Sequence, residues 1–259
     1  MSTSQPVRKR LKFIGCEIIY REACLLAAQS PRPVDLEFLR KGLHDLPTAD
    51  MQAKVQSAID AVDAADYEAI LLGYARCNDG VAGVRAAHVP LVVPKAHDCI
   101  TLFFGSRQAY RAYFDEHPGT YYMTTGWIER NAFDEGQYAR PAYGRQGVMD
   151  KLGLTESYER MVAKYGRENA DFIRQTLGDW RRNYTDLLYL RMDVCDEAPM
   201  IEAARREAQE YHWRFSVRPG DWTLLRKLFN GPWDGDFVIV EPGQQILPRN
   251  DEQVLGVGE

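Results

Sequence analysis

Three cysteines stand at matching places along the chain. Cys16 ends the apolar run 12–16 (KFIGC) and Cys77 ends 69–77 (AILLGYARC). Cys99 lies just beyond the run 91–93, which Pro90 and Pro94 bound. Short β-branched apolar runs of this kind read as buried strands. In a parallel α/β sheet the carboxyl ends of the strands share one edge, and ligands bind along it. The spacing therefore predicts that the thiols of Cys16, Cys77 and Cys99 meet in space. Thiolates are soft ligands suited to zinc and to iron–sulfur clusters. Three of them with one open coordination position suit a catalytic zinc, or a four-iron cluster whose unique iron takes a substrate. The competing reading is plain packing, because free cysteine is among the most buried residue types. No C-x-x-C occurs, so the usual local zinc and ferredoxin spacings are missing.

Other residues could share that edge. His97 and Asp98 precede Cys99 on one loop. His97 could be a fourth ligand, an acid/base beside a reactive thiolate, or a hydrogen-bonding loop residue. Asp98 could orient His97 or a polar group of a ligand. Glu17 follows Cys16 directly, as a base or as a charge that complements a helix N-terminus. Asn78, Asp79 and Gly80 follow Cys77 and could approach a ligand, although a turn accounts for them too. Cys195 also lies past a strand-like run, between Asp193 and Asp196, and ranks below the other three; Cys24 reads as core. Tyr121, Tyr122, Trp127, Tyr138 and Tyr143, with Arg130, Arg140 and Arg145, could close over a flat or anionic ligand.

The common motifs for nucleotide hydrolysis, dinucleotide binding, esterase and metalloprotease chemistry are all absent. A net charge of −5 gives no general pull towards nucleic acid or an anionic membrane. No apolar run approaches a membrane span. The basic N-terminus leads into a short strand and not into a signal-peptide core, so the expected compartment is the cytoplasm. There, disulfides are disfavoured, and metal binding, catalysis or burial remain for the five cysteines.

The elements that must position these groups alternate. Residues 1–10 read as a flexible lead-in, followed by a strand at 11–15 and a helix at 17–29. A strand within 34–39 precedes a helix at 48–64, with Thr48 and Asp50 as caps and Met51, Val55, Ile59 and Val62 as its apolar stripe. Strands at 69–73 and 91–93 follow, then a helix at 105–113 with Ser106 as cap. A strong β segment, 120–124, precedes the aromatic stretch 128–151, which is long for a connection and reads as a functional loop or lid. A helix over 155–180 with a break near Gly166, a strand at 186–192 and a charged helix at 198–211 come next. A strand at 237–240 leads to a flexible tail, 248–259. The alternation predicts an α/β fold: one domain over 11–247 with a doubly wound, mostly parallel sheet, helices on both faces and a long inserted loop at 126–151.

The segments GCE (15–17), LLGYARCNDGVAGV (71–84), PLVVPKAHDCITLFFGSR (90–107) and PGTYYMTTGWIE (118–129) together resemble the prokaryotic family filed as domain of unknown function 1638. The resemblance extends from about Leu11 to Gly243. In that family the loop after the second cysteine usually reads C-G-N-G, whereas this chain has Cys77–Asn78–Asp79–Gly80. The resemblance supports fold and motifs and implies a genomic setting near corrinoid-dependent methyltransferases, but it implies no reaction.

Three functions follow in order. The first is a metal or iron–sulfur protein, with Cys16, Cys77 and Cys99 as ligands and either zinc or a cluster as cofactor. It would act on a small molecule of methyl-group or one-carbon metabolism, with His97 or Glu17 managing protons. The second is a non-catalytic metal or corrinoid accessory protein that uses the same edge. The third is a metal-free enzyme with Cys99 as nucleophile and His97 as its partner.

Overall fold

The computed structural model describes residues 9–77, 79–134, 158–171 and 183–259. Its main sheet contains β1 (Arg10–Cys16), β2 (Val34–Leu39), β3 (Tyr67–Gly73), β4 (Leu91–Pro94) and β8 (Phe237–Val240). Their order is β2-β1-β3-β4-β8. The first four run parallel, and β8 joins antiparallel to β4. Every residue of β4, and the last five of β3, are buried. That is the pattern of a parallel sheet covered on both faces.

The covering comes from helices whose apolar stripes match the sequence. In α1 (Tyr20–Gln29) Ala23 and Leu26 are buried, and in α2 (Thr48–Asp60) so are Met51, Val55, Ala58 and Ile59. Thr48 and Asp50 do not cap α2. Pro47 holds the N-cap place, and its carbonyl accepts the Asp50 and Met51 amides at 2.9 and 3.2 Å.

Three strands between residues 120 and 219 form a sheet of their own. β5 (Thr120–Met123), β6 (Asp186–Arg191) and β7 (Arg214–Pro219) are parallel, in the order β5-β6-β7. The two-residue period of β6 gives this sheet two loyalties. Leu188 and Leu190 face the main core, whereas Leu187 and Tyr189 join a smaller cluster with Tyr121, Met123, Ala204, Ala208 and Trp213. The α/β class read from the alternation therefore holds, with the strands shared between two mostly parallel sheets.

Two further helices start at the carboxyl edge of the main sheet: α3 (Cys99–Phe103) and α4 (Arg107–Glu116). Ser106 caps α4 as expected, accepting the Ala109 amide at 3.1 Å. The stretch 128–151 departs from the expected loop at its start, because α5 (Thr125–Asp134) is helical, and residues 135–150 lie outside the described residues. Helix α6 (Tyr158–Tyr165) ends at Gly166, whose φ of +78° is the left-handed geometry that glycine supplies at a helix end. Helix α7 (Ala198–Glu210) carries its proline in the first turn, and α8 (Thr223–Asn230) buries Leu224, Leu225, Leu228 and Phe229. The segment read as a flexible tail is ordered. β9 (Gln245–Pro248) and β10 (Leu255–Gly258) pair antiparallel, and burial of Val254 and Leu255 holds the hairpin to the core.

Candidate functional site at the strand carboxyl ends

Register places the cysteines. In the β1–β3 pair Gly15 lies opposite Gly73, so Cys16 and Tyr74 emerge from neighbouring strands at the same level. Beyond β3 and β4 the two chains stay paired, with Arg76 N–H to Ala96 O at 2.9 Å and Cys77 N–H to His97 O at 3.1 Å. Cys77 then adopts φ 47°, turning the chain, and its carbonyl accepts the Gly80 amide at 3.1 Å. Cys99 is the first residue of α3, directly after the loop that Cys77 pairs with.

The three thiols share one electrostatic neighbourhood. Burial pushes the Cys16 thiol up to about 12 and raises those of Cys77 and Cys99 well above the ordinary thiol range. Cys16 and then Asp98 add to the rise at Cys77, while Cys77, Asp98 and Cys16 add to it at Cys99. Nearby backbone amides oppose the rise: that of Ile18 at Cys16, those of Ala75 and Cys99 at Cys77, and its own at Cys99. Amide donors aimed at sulfur stabilise a thiolate, or a metal–thiolate group, more than a thiol. Among the described residues, no three His, Cys, Asp or Glu side chains stand close enough to hold a metal ion as they are placed.

The neighbours sort clearly. Asp98 caps α3: one oxygen accepts the Thr101 amide at 3.2 Å and its hydroxyl at 3.3 Å, and the other accepts the Tyr110 hydroxyl at 2.9 Å. Burial raises its carboxyl, and those bonds pull it back. Asp98 is thus anchored below Cys99. The His97 side chain is exposed, and partial burial lowers its pKa while Asp98 opposes that. Glu17 is engaged at both oxygens, accepting the Lys41 amide at 3.0 Å and standing 3.9 Å from Arg130. Those contacts tie 41–45 and α5 to the turn after Cys16. Gly126, at the start of α5, is required there, since a Cβ would overlap the Ile18 carbonyl. Asn78 lies outside the described residues.

Cys195 sits elsewhere, under the influence of Arg21, Glu129, Glu197 and Asp196. Cys24 is half-buried on α1. Of the aromatic group, Tyr121 and Tyr122 belong to β5 and Trp127 to α5, where alternation and helical spacing fix them. Tyr138, Tyr143, Arg140 and Arg145 lie outside the described residues.

Two buried polar side chains were not among the expected site residues. Tyr74 is 1 % exposed and its hydroxyl has no hydrogen-bond partner among the described residues. The thiols that bear on it are Cys16 and Cys77. Its signal lay in GYARC, a tyrosine directly after a buried strand and three residues before a cysteine. Glu22 is wholly buried, and neither oxygen is hydrogen-bonded among the described residues. Its signal was an acid at the i+4 position from Ile18 and the i−4 position from Leu26, on an otherwise apolar face.

A family profile described as "Protein of unknown function (DUF1638)" matches residues 38–229, which include Cys77, Asp98 and Cys99, with Cys16 ahead of them. No curated protein and no solved structure matches the chain.

Proposed function

The chain belongs to the DUF1638 family, whose description carries no reaction, and we propose from the site that it is a thiolate metal or iron–sulfur protein acting on a small molecule. One observation supports this most: three cysteines gather at the carboxyl edge of the main sheet, Cys16 and Cys77 buried and Cys99 half-buried, and Cys77 and Cys99 bear on each other's thiols. In this reading Cys16, Cys77 and Cys99 move together as ligands when they lose their protons. Three thiolates would leave a fourth position on zinc, or on one iron of a cluster, free for a small molecule. Asp98 steadies the Cys99 turn, and Glu17 braces the Cys16 turn instead of moving protons, because both of its oxygens are engaged. His97, exposed at the rim, is placed to exchange a proton with solvent. The cytoplasm and a methyl-group or one-carbon substrate complete the proposal; the latter draws only on the family's implied setting.

The test is metal content. Protein purified anaerobically, without a metal-affinity tag, is assayed for iron, zinc and acid-labile sulfide, alongside Cys16→Ser, Cys77→Ser and Cys99→Ser. Near-stoichiometric metal that falls in all three variants supports the site and chooses between zinc and cluster. Wild-type protein that takes up neither, even on reconstitution, overturns it.

A further inference from the structure

β8 and β10 pack together without joining one ladder. β8 ends the main sheet beside β4, and β10 pairs with β9 in the hairpin. The hairpin is anchored through β9 instead, with Gly83 N–H to Ile246 O at 2.8 Å and Ile246 N–H to Val84 O at 2.9 Å. An open groove of about 310 Å³ runs along the unpaired seam, a size that suits a small molecule. Val238 and Ile239 of β8 line it, with Leu255 and Val257 of β10. Ile239 is half-buried and Val257 exposed, so apolar surface faces into the opening.

Two cations share this lining, Lys95 and Arg249. Arg249 is matched by Asp251, 2.6 Å away. Lys95 is not matched. Its Nζ donates to the neutral amide oxygen of Gln253 at 2.7 Å, and among the described residues no carboxylate stands within ion-pair distance of it. The carboxylates that bear on it from farther off, Asp236 and Asp251, are held by Lys227 and Arg249. An ammonium has three donors, and Gln253 takes one. A half-buried cation without a counter-ion, set among apolar walls, fits an anion that carries an apolar body. A bare inorganic anion would leave the walls unused, and an uncharged apolar molecule would leave Lys95 unmatched.

We propose that the seam binds a small monocarboxylate with a short apolar chain. Its carboxylate accepts from Lys95, and its chain lies against Val238, Ile239, Leu255 and Val257. The site is separate from the three thiols and does not depend on the metal reading.

The test titrates the full chain, labelled with carbon-13 at its Ile, Leu and Val methyls, with hexanoate, hexanol and inorganic phosphate. Saturable shifts of the Ile239, Leu255 and Val257 methyls are expected with hexanoate. Affinity should be about tenfold or more above that for hexanol, the contribution of a charge-assisted hydrogen bond. Lys95→Gln, its fold checked by the same methyl spectrum, should lose that factor for hexanoate and keep its hexanol affinity. No saturable shift at these methyls overturns the site. Equal affinity for hexanoate and hexanol, or phosphate binding as tight as hexanoate, overturns the proposed ligand class. The ligand comparison uses wild-type protein, so it decides even where Lys95→Gln does not fold.

Discussion

The Tyr110 hydroxyl donates to Asp98 at 2.9 Å, tying α4 to the N-cap of α3 directly beneath Cys99. The same carboxylate accepts the Thr101 amide, so one side chain caps a helix and satisfies a half-buried phenol. Asp98→Ala removes the cap, worth about 1 kcal/mol. It also strands a hydroxyl, at about 1–3 kcal/mol. Urea unfolding should therefore show a loss of roughly 2–4 kcal/mol, and Tyr110→Phe a smaller one. Because the two residues share the bond, the double variant should lose less than the sum of the singles. Additive losses would mean that the contact contributes nothing.

A second prediction concerns the floor of the site. The ring of Phe13 lies across Gly15 and Gly73, and a Cβ on either glycine would overlap it. Phe13 also stacks on Phe229 at 5.1 Å, so it has little freedom to yield. Gly73→Ala should cost about 1–3 kcal/mol by overpacking. Phe13→Leu in the same chain should recover part of that loss, read as a rise in Tm over Gly73→Ala alone. No recovery would place the strain somewhere other than the ring.

The sequence exposed the elements well where one physical signal dominated. Leu91–Val93 between two prolines could hardly be other than a buried strand, and three such runs ending near cysteines fixed one edge. The division into two sheets was hidden because β5 and β6 carry the same apolar alternation as the main strands. Pairing depends on which faces close on which core, and Leu187 and Leu188, adjacent in sequence, serve different clusters. The tail at 248–259 read as flexible, whereas its fold depends on two apolar residues in it, Val254 and Leu255. Tyr74 and Glu22 escaped notice for a related reason. Side-chain type announces polarity, but only the fold shows that a polar atom has been left without a partner.

Metal uptake should be visible as acid release. Burial keeps the three thiols protonated in the metal-free protein near neutral pH. Each thiol that becomes a ligand must shed its proton, so one zinc ion held by three thiols should release about three protons. An indicator dye in weakly buffered solution at pH 7.5 reads this directly during zinc titration. Cys16→Ser should release fewer protons for each zinc bound. Zinc that binds to wild type without acidifying the solution would point to ligands other than thiols.

The last prediction follows from Glu22, a carboxyl on α1 buried among Glu197, Glu129 and Arg21, with neither oxygen bonded among the described residues. Burial is the main cause that raises it from 4.5 to about 8, and Glu197 and Glu129 add to the rise while Arg21 opposes it. Below about pH 4.5 the group is protonated both folded and unfolded, and it costs nothing. Between there and about pH 8 the unfolded chain ionises while the folded one holds its proton. Stability must therefore fall as pH rises, by about 1.4 kcal/mol per unit from this group alone, levelling off above its folded pKa. Glu22→Gln keeps the shape, cannot ionise and removes that slope. Denaturant unfolding at pH 5.5, 7 and 8.5 should find the variant gaining on wild type at each step and more stable at the last. Parallel profiles for the two proteins would show that Glu22 finds a partner or water in solution, and the raised value would have to be abandoned.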